Sequence, residues 1–305
     1  MIEKGNQARV SVVIATTAEK KREEQINNAI ASVLSQTGCT FTLIVVINGN
    51  RFDPEVRQSI EGNDCIQSHY LPEGNFPKAL MYARSIIEGK YFCFLDDDDE
   101  LLPDSLQSRF DALESNKEAD VAVGNGLKKH NETLELETHA NILKYHEAPL
   151  AALFKQNGNW LASCAGMYRS ATIPQEYFDD YAVFAEWTYI AFKLAIYKQV
   201  TFVNTLCYRI NVQGESLSHN EQYLLGQYNM ANKLLDLPLP VWARKNIFIK
   251  IRDMEHDLAE RYLNNGQKAK AWLYHFKSLG NFKTFHKYVL FTRYLLSKSF
   301  LNNKN

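Results

Sequence analysis

Tyr91-Phe-Cys-Phe-Leu95 is an uninterrupted apolar run that passes straight into four carboxylates, Asp96, Asp97, Asp98 and Asp99. The run reads as a buried strand, and four bare like charges can follow it only where solvent or a cation neutralises them. Crowded carboxylate oxygens at a strand end suit a hard divalent ion, Mg²⁺ or Mn²⁺, which can itself hold a diphosphate. The competing reading is an acidic lead into the helix expected over Ser105–Leu113, with Asp104 favouring its dipole. That accounts for one or two acids. Four acids fed by an apolar strand make the metal site the stronger expectation.

The first third of the chain alternates strand and helix patterns. Arg9–Ala15, Phe41–Ile47 and Tyr91–Leu95 are short apolar runs, Cys65–Tyr70 is a weaker one, and Ala119–Gly124 is a fifth. Between them, Glu23–Leu34 sets Ile26, Ile30, Val33 and Leu34 on one helical face. Pro54–Ile60 and Lys78–Glu88 predict two more helices. Such alternation predicts a parallel sheet with helices on both faces, and ligands then gather beyond the carboxyl ends of the strands. Thr16-Thr17, Asn48-Gly49 and Asp96–Asp99 stand at three such ends, so they are expected along one rim. From Lys128 to Tyr208 the pattern loosens, leaving a helix over Glu186–Ile196 and a strand over Val200–Tyr208. Beyond Glu221 only helices are expected: Gln222–Leu235, Pro240–Leu263, Gln267–Ser278 and Phe282–Phe300, with an αα-hairpin at Asn264-Asn-Gly266.

The five cysteines are scattered, with no Cys-x-x-Cys pair, which fits reduced thiols in a cytoplasmic protein rather than a disulfide framework or zinc site. Met1–Ala8 carries no apolar leader core, and no stretch has the length and apolarity of a spanning helix. The formal charge of −1 conceals an asymmetry. Tyr262–Asn305 holds eight Lys or Arg and no acid, which leaves 26 basic against 35 acidic residues in the rest.

Taken together the motifs resemble the family 2 glycosyltransferases, over roughly Val10 to Ser218. The residues that carry the likeness are Val10–Thr16, Ala29–Gln36, Leu43–Gly49, Gly89–Pro103 and Glu186-Trp187 at the head of a helix. The resemblance implies an α/β fold of GT-A type: a Rossmann-like, mostly parallel sheet flanked by helices, here with a C-terminal α-helical appendage. It implies a glycosyltransferase domain at 1–220, with a nucleotide-binding half at about 8–125 and an acceptor-binding half at about 126–220, followed by a basic helical region at 221–305. It also implies transfer of a sugar, with inversion, from a nucleotide-diphosphate donor, first a UDP-sugar, to a hydroxyl of a glycan or lipid-linked acceptor. The setting would be cell-surface polysaccharide or lipopolysaccharide synthesis.

Residue by residue, the resemblance makes Asp96-Asp97-Asp98 the D-x-D motif. Asp98 would be the direct metal ligand, and Asp96 and Asp97 would support the ion and the donor ribose. His219 would complete the metal shell. Glu186 stands where the family carries the second residue of a Glu-Asp pair, the base that takes the acceptor proton; as a bare sequence feature it is also a helix N-terminal acid. Ala15 and Thr17 replace the Pro and Tyr of the family's first strand end, so an aromatic contact to the base is missing at Thr17. Asn48 replaces the Asp that meets uracil, and it both accepts and donates; it also reads as a plain turn residue. Lys78 would reach the diphosphate or stay solvated at a helix start. Trp160, Gly166 and Trp187 would shape the acceptor pocket, although core packing accounts for a Trp equally well.

The C-terminal run Phe282–Phe300 is cationic and rich in Phe, Tyr and Leu. It fits either a helix lying peripherally on an anionic membrane or one packing its apolar side on the protein. Nucleic acid is a poor partner for an otherwise acidic surface. Two other functions stay open at this level. A nucleotidyltransferase on a similar fold would need a basic, Gly-rich phosphate loop that Ala15–Lys21 lacks. A non-catalytic sugar-nucleotide-binding module would bind donor without turning it over.

Overall fold

A computed structural model describes residues 9–131, 133–137, 141–155, 159–179, 181–212, 221–280 and 285–301. β1 (Val10–Thr16), β2 (Phe41–Asn48), β3 (Ile66–Leu71) and β4 (Tyr91–Asp96) form at the apolar runs and pair in parallel in the order β3-β2-β1-β4. Helices α1 (Glu23–Leu34), α2 (Pro54–Glu61) and α3 (Phe76–Ile86) make the crossovers. β1 and β4 are buried almost throughout, which is why they read as continuous apolar sequence. β3, at the edge, is only half-buried, and its pattern is correspondingly weak. α1 buries Ile26, Ala29, Ile30 and Val33. Leu34, expected on the same stripe, is exposed: the spacing from Ile26 closes at Val33, and the last residue turns outward.

Past β4, the strands β5 (Glu100–Leu101), β6 (Val121–His130), β7 (Thr133–Leu136), β8 (Gly166–Arg169) and β9 (Val200–Val212) extend the sheet in the order β4-β8-β6-β9-β5, with β7 added on β6. β6 and β9 form at the runs expected over Ala119–Gly124 and Val200–Tyr208, whereas the sequence pattern hid the three short strands β5, β7 and β8. α4 (Ser105–Ser115), α5 (Pro149–Ala152), α6 (Glu176–Asp179) and α7 (Glu186–Tyr197) lie between them in sequence. Most paired positions are parallel, while β8, β7 and β5 run antiparallel to their neighbours. β6 and β9 outrun expectation because their polar ends pair with each other as far as His130 and Val212. Irregular register around Asn125 interrupts this ladder. A Cβ at Gly126 would lie 2.1 Å from the Tyr208 ring, so a glycine is required where these strands pass.

The chain divides into two compact units: Met1–Tyr181 with Trp187–Glu215, and Ala182–Glu186 with Ser216–Asn305. The first holds the sheet. The second holds α8 (Glu221–Leu234), α9 (Val241–Asn264), α10 (Lys268–Ser278) and α11 (Phe285–Leu301). α9 and α10 form the expected hairpin, and Gly266 takes the left-handed φ of +73° that its turn demands. Leu258, Tyr262, Leu263, Ala271 and Leu295 form the apolar centre of this unit, walled by Leu224, Tyr228, Trp272 and Phe291. Buried Glu255 is matched by Arg252 at 2.8 Å and by the Tyr228 hydroxyl at 3.2 Å. No helix among the described residues is long and apolar enough to cross a membrane, and no disulfide joins the five cysteines.

Candidate active site

Parallel pairing sets Ala15 of β1 opposite Asp96 of β4, and Thr16 opposite Ile47, one residue before Asn48. The ends carrying Thr16, Asn48 and the aspartates therefore share one rim. Thr16 Oγ1 donates to Asp97 Oδ2 at 2.5 Å and accepts the Ala18 amide at 3.0 Å. That second bond steadies Ala18 at a left-handed φ of 50°, a conformation unfavourable for alanine. The other Asp97 oxygen accepts from the guanidinium of Arg22, which also lies 3.0 Å from Asp98 Oδ2. Asp97 is thus pinned inward, and it is not one of the residues that converge.

Those are Asp96, Asp98 and Asp99, each offering a carboxylate oxygen within 4.8 Å of the others. Asp96 accepts the Ser163 hydroxyl at 2.7 Å. Asp99 accepts the Asn211 amide at 3.1 Å and has the Cys164 thiol at 3.8 Å. Burial, together with the neighbouring carboxylates, pushes the Asp96 carboxyl up to about 7 and that of Asp99 up to about 9. Oxygen donors that repel one another in a half-dry site are the donor set a hard divalent ion requires, so the residues fit Mg²⁺ or Mn²⁺. A cavity of about 440 Å³ opens beside Asp98, bounded by Glu24 and Asn28 of α1 and by Glu100, Lys129 and Asn211.

A buried arginine holds the far wall. Arg109 of α4 donates to the Cys164 carbonyl at 2.8 Å and to the Ser105 carbonyl and hydroxyl at 3.0 and 2.7 Å. It thereby fixes the segment that delivers Ser163 and Cys164 to the aspartates. On the β9 side, Asn211 Nδ2 bonds the Asp98 carbonyl at 2.9 Å and Glu100 at 3.1 Å. Arg209 anchors Glu100 at 2.6 Å.

The remaining sequence candidates fall into distinct places. Ala15 and Thr17 are half-buried on the rim. Asn48 Oδ1 accepts the Asn75 amide at 2.9 Å, and Asn75 in turn caps α3, so Asn48 sets where that helix and its Lys78 begin. Lys78 is exposed and paired with Glu73 at 2.6 Å. Trp160 is 0% exposed, its ring against Phe202 and its Nε1 bonded to the Pro149 carbonyl. With no free face it cannot stack on a sugar, and core packing accounts for it. Gly166 is buried too, where a Cβ would meet the Tyr168 hydroxyl at 2.6 Å. Trp187 is half-buried, 5.7 Å from the Phe94 ring on β4. Glu186 begins α7, and its carboxylate accepts the Phe184 amide at 3.2 Å. His219 lies outside the described residues.

Arg22, Ser163 and Asn211 went unrecognised in the sequence. Asn211 was within reach, because the strand-end rule applied to β9 would have reached it had the strand been read to its full length. Arg22 stands in Lys20-Lys21-Arg22, where no pattern says which base turns inward.

Residues 11–173 match the profile of glycosyl transferase family 2. The chain is 26% identical over 165 residues to an uncharacterized glycosyltransferase of Rickettsia conorii, covering 53% of this chain and 26% of that protein. It is 31% identical over 116 residues to one of Methanocaldococcus jannaschii, covering 37% and 39%. The matches thus span well under half the length of these relatives. Among solved structures, S. aureus TarS 1-349 in complex with UDP-GlcNAc has a TM-score of 0.57 at 15% identity, over 86% of this chain and 76% of that one. The same protein in complex with UDP gives 0.55 at 16% identity, over 86% and 75%.

Proposed function

Because the chain belongs to glycosyl transferase family 2, we propose that it moves a sugar, with inversion, from a UDP-sugar to a hydroxyl of a glycan or lipid-linked acceptor. The observation that carries this reading is the convergence of Asp96, Asp98 and Asp99 on the rim shared with Thr16 and Asn48. Asp98 and Asp96 would hold Mg²⁺ or Mn²⁺, with Asp99 behind them. When bound, that ion supplies stabilisation of the charge growing on the departing diphosphate. Ala15, Thr17 and Asn48 seat the nucleotide, and Lys78 leaves Glu73 for a phosphate oxygen. Glu186 takes the proton of the acceptor hydroxyl as its oxygen bonds to the anomeric carbon and the sugar–phosphate bond breaks. Trp187 offers its half-open face to the acceptor. In this reading residues 1–220 carry the chemistry and 221–305 serve location.

The location reading rests on charge and apolar exposure together. α10 and α11 expose Leu273, Phe276 and Leu290, at 53%, 62% and 67%, among Lys270, Lys277 and Arg293. With no acid after Arg261 in the sequence, such a surface suits the headgroups of an anionic bilayer. Sedimentation with anionic but not neutral vesicles, reduced in Phe276→Glu, is the expected result.

For the chemistry, the test is release of UDP from a panel of UDP-sugars with and without Mn²⁺, for the natural chain, Asp98→Asn and Glu186→Gln. Metal-dependent turnover in the natural chain alone supports the proposal. Donor binding with no turnover at any metal concentration would leave a non-catalytic binding module.

A further inference from the structure

We infer that Arg22 is the resident counter-ion of the aspartate cluster: its guanidinium balances Asp97 and Asp98 in the metal-free protein, and an incoming divalent ion must compete with it for Asp98. The inference rests on the metal reading above and adds a residue to it. Of the three consecutive bases, Lys20 is held by Glu23 and Glu55 and Lys21 by Glu19, whereas Arg22 alone turns to the aspartates. Its grip on the two carboxylates is unequal in kind. Asp97 is buried, and its second oxygen is tied to Thr16, so that end is a fixed anchor. Asp98 is half-exposed, lines the cavity, and also belongs to the converging set of three. The guanidinium therefore sits with one foot on the scaffold and one on a proposed ligand.

The chemistry of arginine suits this place. One terminal nitrogen, Nη2, bridges the two carboxylates, and the guanidinium keeps its charge at any working pH. The Nε of Arg22 is buried without a partner, so the fork is not fully committed to the protein. Without a cation beside them, Asp96, Asp97 and Asp98 would face one another bare on a partly dry rim, and the site would splay. With the arginine present the site stays assembled, at the cost of repelling a second positive charge. Arg22 is thus a positioning residue: it acts on the ion through Asp98 and touches no reacting atom.

The test reads metal binding directly, as free Mn²⁺ by electron paramagnetic resonance, for the natural chain, Arg22→Gln and Arg22→Lys. Arg22→Gln is expected to bind Mn²⁺ roughly fivefold tighter at low salt, the scale of one unit charge repelling a divalent ion across a few ångströms, with the gain shrinking in high salt. Arg22→Lys should fall between the two. Loss of a merely structural contact would not tighten metal binding. Unchanged or weaker Mn²⁺ binding by a folded Arg22→Gln overturns the inference while leaving the metal reading intact. Failure of the natural chain to bind Mn²⁺ even with UDP present overturns both. If Arg22→Gln does not fold alone, recovery of native circular dichroism in Mn²⁺ supports the inference, and no recovery overturns it.

Discussion

The two halves of the sheet are held by different means. β1, β2 and β4 are walls of Val, Ile, Leu and Phe buried almost completely, and their polar cargo sits only at their ends. The β8-β6-β9-β5 half carries polar machinery instead: buried Arg109 on the Cys164 carbonyl, buried Ser163 on Asp96, and half-buried Asn211 on Asp99 and Glu100. Apolar burial makes a rigid ledge, and directional hydrogen bonds aim groups at it. The difference teaches that damage to the first half should appear mainly as lost stability. Damage to the second should disturb the site as well, because each of those bonds ends at an aspartate or its support.

Substitutions can break that contrast or sharpen it. The largest effect is expected at the ledge's own cargo. Asp98→Asn should lower turnover by about 10³-fold, the scale of losing one preorganised charge-stabilising group, while the melting temperature holds or rises as a like charge disappears. Glu186→Gln should cost about 10²-fold or more in turnover with donor affinity unchanged, which separates proton removal from binding. Next come the two interiors. Ile14→Ala should lose about 3 kcal/mol in urea denaturation, with the donor dissociation constant of the folded protein preserved. Arg109→Met should lose about 3 kcal/mol as well, by leaving the Cys164 carbonyl and Ser105 unpaired, but donor and metal affinity should fall with it. Equal affinities in the two variants would erase the distinction between the halves.

A smaller effect is expected from pH. The raised Asp96 and Asp99 carboxyls hold protons that the unfolded chain, near 3.8, has already released. The folded state then binds more protons, so the metal-free protein should lose stability as pH rises from about 4 to about 7, and further toward 9 through Asp99. Saturating Mg²⁺ should flatten that slope, as read from melting temperatures across the range. The smallest effect belongs to Lys78→Met. Its ion pair with Glu73 lies in open solvent, so the melting temperature should not move, while UDP-sugar affinity measured calorimetrically falls about threefold.

What the sequence revealed follows the same division. α1 falls at Glu23–Leu34 as its periodicity predicts, and the apolar runs mark β1, β2 and β4 to within a residue, because burial on both faces leaves little choice of residue. The aspartate cluster was visible for the converse reason: four charges behind an apolar strand have few structural uses. The hidden parts are contacts between residues far apart in the chain, such as Ser163 with Asp96 and Asn211 with Asp99. No local pattern encodes such meetings. Asp97 looked like its neighbours in sequence, and only its bonds to Thr16 and Arg22 set it apart. Trp160 shows the limit from the other side, since a Trp in a loop-rich stretch gives no sign of whether its ring is walled in.

The short stretch Ala182–Glu186 keeps company with the helices that follow Glu221 rather than with the sheet. Gln227 of α8 donates to the Phe184 carbonyl at 3.0 Å, and Gly226 lets the helix approach the Val183 carbonyl, where a Cβ would come within 2.7 Å. A protein shortened at residue 220 would retain each strand but forfeit the clamp on the backbone immediately ahead of Glu186. Engineers seeking a minimal version should therefore keep α8, since the backbone that leads into Glu186 belongs with that helix and no single scissor point along the polypeptide separates the two units.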